Sequence, residues 1–526
     1  MQTISRRSML LTGSTAGLML GMPDWSGSAA AQAPYTRSSA TSQRGKAMLV
    51  LYAKAVDIMM NRVPKGDPRH WDFQWYSHWI PGPQGPWSAV AAKKAETIRA
   101  IYAGRPPTDP HRKLAELMWD GCQAHSENPT QPNYFQEQFF LPWHRYYVYY
   151  FEQIIRGVLQ NADFALPYWD YLGGPPASRS IPEEFRNPAS PLFRPNRNPG
   201  VNDGAAIDVG PGRSPLNANA FRETLYIDSP DGSIGFCPQL DGNPHGAVHV
   251  DVGNGTNMGS VPTAAGDPVF WIHHCQIDRL WESWNRLPGR PNPMWPDRSF
   301  VFANSAGGQV TAQVGGADRV ALLGYQYDNY FVPPGVAAAP VADAAAEPAA
   351  ATAAAVVARA ALAVRPLEVR AIAPRPVPLG NAPVRASLAL PAPALGGAPA
   401  ARLAAPTGPR NLYLLLGGIM LNANPGEVVY NVYLDLPEGT KPTPDDPHYV
   451  GTVNFFHTPV GHDHAAAARS GEPSHHGTTV FNVTDVVKNL QGSSGLSQQP
   501  TVTLIPSGTL RGDAKPVIAE VQLVEK

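Results

Sequence analysis

The feature that most restricts how this chain can fold is a break in composition past its middle. Between about residues 333 and 381 nearly every position is Ala, Val or Pro, interrupted by Arg359, Arg365, Arg370 and Arg375. A tract without aromatic side chains has little with which to build a core, so it reads as a linker, placed at 334–383. It separates an aromatic, helix-patterned stretch (34–333) from a β-rich one (384–526). The total of 526 residues allows two to four units at about 150 residues each. The 48 glycines and 56 prolines fit a chain that spends many residues on linker and loop.

Before the break, helical spacing is clearest in three segments. Ala47–Arg62 opens near Ser42. Leu141–Leu159 carries Pro142 in its first turn, where a missing N–H costs nothing, and repeats Trp143, Tyr147, Tyr150, Phe151, Ile154 and Ile155 on one face. Pro268–Trp284 follows Asp267, a natural N-cap. Residues 176–231 are dense in Pro, Asn and Gly and read as long loops. After the break come seven short β-rich runs: Ala386–Leu390, Leu412–Leu416, Val428–Leu436, Tyr449–Phe456, Thr479–Val483, Val502–Ile505 and Val517–Val524. Turn signals between them predict an antiparallel sandwich. The expected fold is a mainly α domain with long loops, followed by an all-β sandwich.

Charge and cysteine content remove several function classes. Lys+Arg total 41 against 42 Asp+Glu, so no excess positive charge exists to bind nucleic acid. Cys122, Cys237 and Cys275 are too few for a disulfide scaffold. The N-terminus reads as an export signal over 1–33. Ser5-Arg6-Arg7-Ser8 precedes a short apolar run to about Met22 and a small-residue tract from Ser26 to Ala33, a twin-arginine pattern best cleaved after Ala31. No other run reaches membrane-spanning length. The expected location is periplasmic or secreted, reached by a route that exports folded, cofactor-loaded proteins.

The histidines carry the chemistry. Of the 15, nine precede residue 300 and six follow residue 440. His245 and His249, four residues apart after Asn243-Pro244, share one face of a helix and can bind one ion. Gly246 stands where a zinc protease needs Glu, which disfavours that class. His273 and His274 lie inside the aromatic helix after Asp267-Pro268, and His144 begins the one after Phe140-Leu141-Pro142. Imidazole ligation without carboxylates favours copper, and the inward Glu and Glu-x-x-His pairs of a di-iron bundle are missing.

Four motifs in order, Phe140-Leu141-Pro142-Trp143-His144-Arg145, Leu166-Pro167-Tyr168-Trp169-Asp170, Pro244-His245-x-x-x-His249 and Asp267-Pro268-x-Phe270-x-x-His273-His274-x-x-x-Asp278-Arg279-x-Trp281, resemble the tyrosinase/polyphenol oxidase (type 3 copper) family. The stretch around Asp446-Pro447-His448 and Gly461-His462-Asp463-His464 resembles the β-domain that plant and some bacterial polyphenol oxidases append. The resemblance implies a four-helix bundle around two copper ions, with O2 as co-substrate. It assigns His245, His249 and His274 to the second copper, leaving His273 behind them, and His144 to the first. The middle ligand of the first copper usually lies nine residues earlier, where this chain has Phe135; His125, near Cys122, is the substitute, and a thioether between the two is open. The remaining ligand is His78, with His70 as the alternative.

The resemblance also implies roles around the metals. Gly246 and Asp241 occupy the positions that help deprotonate a monophenol, and Val261 the one that leans over the second copper. A glycine there favours o-diphenol oxidation over monophenol hydroxylation, and a small residue at 261 leaves room for bulky phenols. The β-domain is expected to cover the site and keep the enzyme latent until the linker is cut. His457, His462, His464, His475 and His476 read as a solvated loop, with copper handling or plugging of the site as the alternative. Phenols and a copper-delivery protein are the implied partners. An aminophenol oxidase, a hemocyanin-like oxygen carrier and a copper-storage protein are the competing readings.

Overall fold

In a computed structural model the described residues are 35–78, 89–122, 137–174, 176–228, 234–253, 257–333, 368–389, 411–423, 425–426, 428–443, 445–456, 458, 478–493, 497 and 499–525. The expected signal segment, His125, most of the expected linker, and His457, His462, His464, His475 and His476 lie outside them.

The N-terminal unit is mainly helical: α1 (Gln43–Asn61), α2 (Trp71–Tyr76), α3 (Ala89–Ile101), α4 (Pro110–Cys122), α5 (Phe140–Leu159), α6 (Phe236–Leu240), α7 (Ala247–Val252) and α8 (Val269–Asn285). Ser42 starts α1 by accepting the Gly45 N–H on its Oγ at 3.0 Å, the side-chain cap that satisfies an orphan donor of the first turn. Asp267 does the same for α8, accepting the Val269 N–H at 3.0 Å, and its carboxylate also pairs with buried Arg197 at 2.8 Å. The long helices pack through aromatic faces. Phe151 of α5 stacks on Trp271 of α8 with centroids 3.5 Å apart, and Tyr52 of α1 meets Phe151 edge-on at 6.2 Å. Such pairs contribute about 0.5–1.5 kcal/mol each beyond the area they bury.

A buried polar brace fixes α5 against α8. Asp278 of α8 accepts Arg145 Nε of α5 on Oδ1 at 2.5 Å, while Arg37 Nη1 and the Tyr325 and Tyr327 hydroxyls donate to its Oδ2 at 3.2, 2.7 and 2.5 Å. Arg37, Tyr325 and Tyr327 arrive on β1 (Tyr35–Arg37) and β4 (Tyr325–Tyr327), a parallel pair that joins the two ends of the unit. Between them β2 (Ser299–Ala303) and β3 (Gln309–Gln313) form an antiparallel ribbon. Arg279 donates to Asn329 O and lies 3.3 Å from Asp170, so both charges at 278 and 279 anchor the helix.

The C-terminal unit is a two-layer antiparallel sandwich of β5 (Glu368–Ile372), β6 (Val377–Pro378), β7 (Val384–Ser387), β8 (Leu412–Met420), β9 (Val428–Leu434), β10 (Tyr449–Val453), β11 (Thr479–Asn482), β12 (Thr501–Gly508) and β13 (Val517–Glu525). The sheets run β10-β9-β12-β7 and β11-β8-β13-β5, with β6 also on β13. Leu414, Leu416, Val432, Leu434, Leu504 and Leu523 fill the space between them. All seven expected strands are present with shifted ends. Two more, β5 and β6, fall inside the tract read as linker, so the sandwich opens by residue 368 and not at 384. Ala371, Ala373 and Val377 are buried there; small apolar residues that look like spacer sequence suffice beneath a sheet whose bulk comes from its partners. A helix, α9 (Thr484–Ser493), was also not expected; it buries Val487 and Leu490.

The two units are in contact. Tyr413 donates its hydroxyl to Glu223 at 3.2 Å, Gln239 donates to Val480 O at 3.0 Å, and Gly212 N–H donates to Ser507 Oγ at 2.8 Å. Arg222 pairs with Asp485 at 2.7 Å. Phe456, just past β10, packs into the core of the helical unit.

Candidate metal centre

One trio of imidazoles is built on the turn before α7 and on α8. Asn243 leaves helical geometry at φ −150° and ψ 122° inside the wide turn Asp241–Gly246. It does not cap the following helix, as its position suggests. Its amide instead accepts the Asn217 N–H at 3.0 Å and donates to Pro215 O at 3.1 Å, tying the kink to the loop beside it. Pro244 then restarts the helix, and the four-residue spacing turns His245 and His249 to one side. Their Nε2 atoms are 3.1 Å apart, and His245 Nε2 is 3.3 Å from His274 Nε2 of α8.

A second group faces the first. His144 stands in the first turns of α5, with Nδ1 against Phe140 O at 2.9 Å. His78 follows the end of α2, and its Nδ1 meets the main-chain oxygen of Val261 at 3.0 Å. The Nε2 atoms of His78 and His144 approach to 3.3 Å. His70 is elsewhere occupied: it caps α2 by accepting the Asp72 N–H at 3.0 Å. The two groups meet where His144 stacks on His274, centroids 4.4 Å apart and planes within 16°. Phe270 packs 4.0 Å from His274 and 5.0 Å from His78, and Phe140 lies 4.7 Å from His245. Five of the six expected imidazoles therefore converge among the described residues.

The electrostatics suit a cation. Burial, followed by neighbouring imidazoles, pushes the pKa values of His249 and His274 well below the ordinary histidine value. Both rings are neutral at pH 7, with lone pairs available. Ring nitrogens 3.1–3.3 Å apart sit where one ion would bond each at about 2 Å. The donor set is all imidazole, which suits a transition metal such as copper over a hard cation. His273 falls within the same cluster, with its donor atom within 4.8 Å of the others. Its Nδ1, however, is hydrogen-bonded with the Tyr171 hydroxyl at 3.0 Å.

The remaining expected positions line this centre. Asp241 Oδ1 lies 2.7 Å from His245 Nδ1. Gly246 is buried, and a Cβ there would lie 3.2 Å from the main-chain oxygen of Asp241 in its own turn and 3.5 and 3.7 Å from the side-chain amide atoms of Asn454. Val261 is half-buried, and its carbonyl orients His78. The residue that sequence reading missed is Phe456. Its ring lies 4.2 Å from that of His249 with planes 12° apart, and meets His245 edge-on at 5.9 Å. The signal in the sequence is Asn454-Phe455-Phe456-His457, two aromatics at the end of a strand.

The model of the common central domain of tyrosinase matches residues 111–231 and 213–287, and a domain of unknown function, DUF7868, matches 366–526. Tyrosinase HcTyr1 of Hahella sp. (strain CCB-MM4) is 32% identical over 309 residues, covering 53% of this chain and 60% of that one. The chloroplastic polyphenol oxidase of Malus domestica is 29% identical over 229 residues, 37% of this chain and 38% of its own. The matches thus span less than two thirds of either relative. Among solved structures, a latent aurone synthase (polyphenol oxidase) superposes with a TM-score of 0.58 at 20% identity, covering 94% of this chain and 90% of that one. Latent apple tyrosinase gives 0.57 at 20%, covering 94% and 97%. At that identity the structural likeness speaks for the fold alone, across both units.

Proposed function

We propose that this chain, whose residues 111–287 match the common central domain of tyrosinase, oxidises o-diphenols to o-quinones with O2 at a pair of copper ions. His245, His249 and His274 would hold one ion; His144 and His78, with His125, the other. The observation that carries this reading is the meeting of the two imidazole groups across the His144–His274 stack, which sets two metal sites side by side. Bound copper supplies the electron exchange with O2. Each diphenol gives up two electrons and two protons, and two of them reduce one O2 to two waters.

The chain's own residues supply position and shelter. The carbonyls of Phe140, Val261 and Met258 fix the ring orientations of His144, His78 and His249, as metal-bound imidazoles require. Phe270 and Phe140 keep bulk water from the rings. Gly246 offers no side chain beside Asp241, so monophenols, which need a proton removed from a less acidic hydroxyl, are the poorer substrates. Twin-arginine export of the loaded enzyme accords with this reading.

Phe456 supports latency. Phe456 of the C-terminal unit stacks on the His249 ring, so a phenol reaching the second site would have to displace it. Cutting between 334 and 367 would let that unit leave. The test is O2 uptake with catechol and with tyrosine, before and after cleavage, on copper-loaded protein. The reading expects catechol turnover that rises on cleavage and exceeds tyrosine turnover. Two copper ions per chain with no turnover of either phenol would refute it.

A further inference from the structure

A line of aromatic rings leads from the imidazoles out along α5. The ring of Trp143 lies 4.8 Å from that of His144 and 6.1 Å from that of His78. Phe302 of β2 lies 5.8 Å from Trp143 and 5.3 Å from Tyr150, stacking on Tyr150 with planes 24° apart. Trp143 and Tyr150 are two turns apart on one face of the helix, so the line advances about 10 Å along its axis. Trp143 is 1% exposed; Tyr150, at the outer end, is half-buried. Two further rings adjoin the line: Tyr147 is 4.6 Å from Trp143, and Tyr146 is 6.0 Å from Phe302.

Resting on the dicopper reading above, we propose that Trp143, Phe302 and Tyr150 form an electron relay that discharges the centre when it meets O2 with no phenol bound. Indole and phenol rings give up one electron far more readily than a phenyl ring, so Phe302 is the bridge and the other two are the stations. A tyrosine keeps its proton at pH 7, and once oxidised it must shed it. The hydroxyls of Tyr146 and Tyr147 donate to the main-chain oxygens of Gln313 and Gln74, and a carbonyl is an acceptor of hydrogen bonds, not of protons. Tyr150 has solvent to take its proton, so the relay ends there. The balance closes. Reduced copper holds two of the four electrons that turn O2 into two waters, and the relay passes in the other two, one at a time. Each electron leaves Tyr150 as its proton goes to solvent, and a reductant of the ascorbate class in solution restores the ring. The four protons consumed by O2 come from solvent. The relay thereby spares the ligand imidazoles from oxidation.

The test uses full-length, copper-loaded protein, reduced, freed of excess reductant and mixed with O2 in the absence of phenol. Part is frozen for electron paramagnetic resonance and part digested to map oxidised residues. Wild type is expected to show a tyrosyl radical, with oxidation mapping to Tyr150. Tyr150→Phe keeps the ring and lies away from the metals; it is expected to retain copper, lose the tyrosyl signal and shift oxidation onto His78 and His144. Trp143→Phe is expected to do the same, and Tyr146→Phe to keep the wild-type signal. Should Trp143→Phe fail to hold copper, Tyr150→Phe decides alone. O2 consumption by wild type without a tyrosyl radical would overturn the proposal, and so would equal signals from wild type and Tyr150→Phe. Wild-type protein that never holds two copper ions, or that consumes no O2 once reduced, would refute the dicopper reading itself and this proposal with it.

Discussion

Burial decides how the clustered imidazoles respond to acid. His249, His273 and His274 are held well below the ordinary histidine value, by burial first and by neighbouring imidazoles second. In the unfolded chain they titrate near 6.5. The unfolded state therefore binds protons first as pH falls, and copper-free protein loses stability from about pH 6.5 downward, by at most about 1.4 kcal/mol per pH unit for each ring. Above pH 7.5 these groups contribute no slope. Urea midpoints of the copper-free chain between pH 8 and 5 measure this; a flat profile would mean that the rings protonate freely in the folded state. Adjacent positions should separate sharply as well. His274→Ala is expected to lower copper to one ion per chain, whereas His273→Gln, bonded with Tyr171, keeps two and costs about 1–3 kcal/mol.

At the scale of elements, the α5–α8 pair depends on its buried ion cluster. Burial pushes the Asp278 carboxyl up, but Arg145, Arg37 and two tyrosine hydroxyls outweigh it and hold the group below the usual carboxylate range. Asp278→Asn leaves Arg145 and Arg37 underpaired, at a cost of about 3–5 kcal/mol, to be read as a lowered melting temperature with copper absent. The long helices were legible because each joins apolar periodicity to a start signal: Ser42 for α1, Asp267 for α8, Pro142 near the start of α5. Strands β5 and β6 were hidden because Ala and Val spell both spacer and buried edge. Asn243 carried a cap signal that tertiary hydrogen bonds overrode. At the centre, His144, His245, His249 and His274 were readable from motif spacing. The selection of His78 over His70 was not, since it depends on which ring the turn after α2 delivers to Val261.

At the scale of the whole molecule, among the described residues the C-terminal unit touches the centre through the short segment at Asn454–Phe456. Asn454 lies beside Gly246, and Phe456 covers His249. Phe456→Ala is expected to raise full-length turnover without cleavage, with copper content unchanged. If its turnover equals that of wild type, the cover acts by some other contact. The resemblance implies a covering β-domain, but the residues that make the cover were not legible before folding, because the segment and its target are about 200 residues apart in sequence.

The account rests on imidazoles from separate helices gripping two neighbouring metals. Crystals of the copper-loaded chain, measured at the copper absorption edge, locate those ions directly. The account predicts two anomalous peaks side by side, one against His245, His249 and His274 and one against His144 and His78. A single peak, or two peaks in separate parts of the molecule, would contradict it.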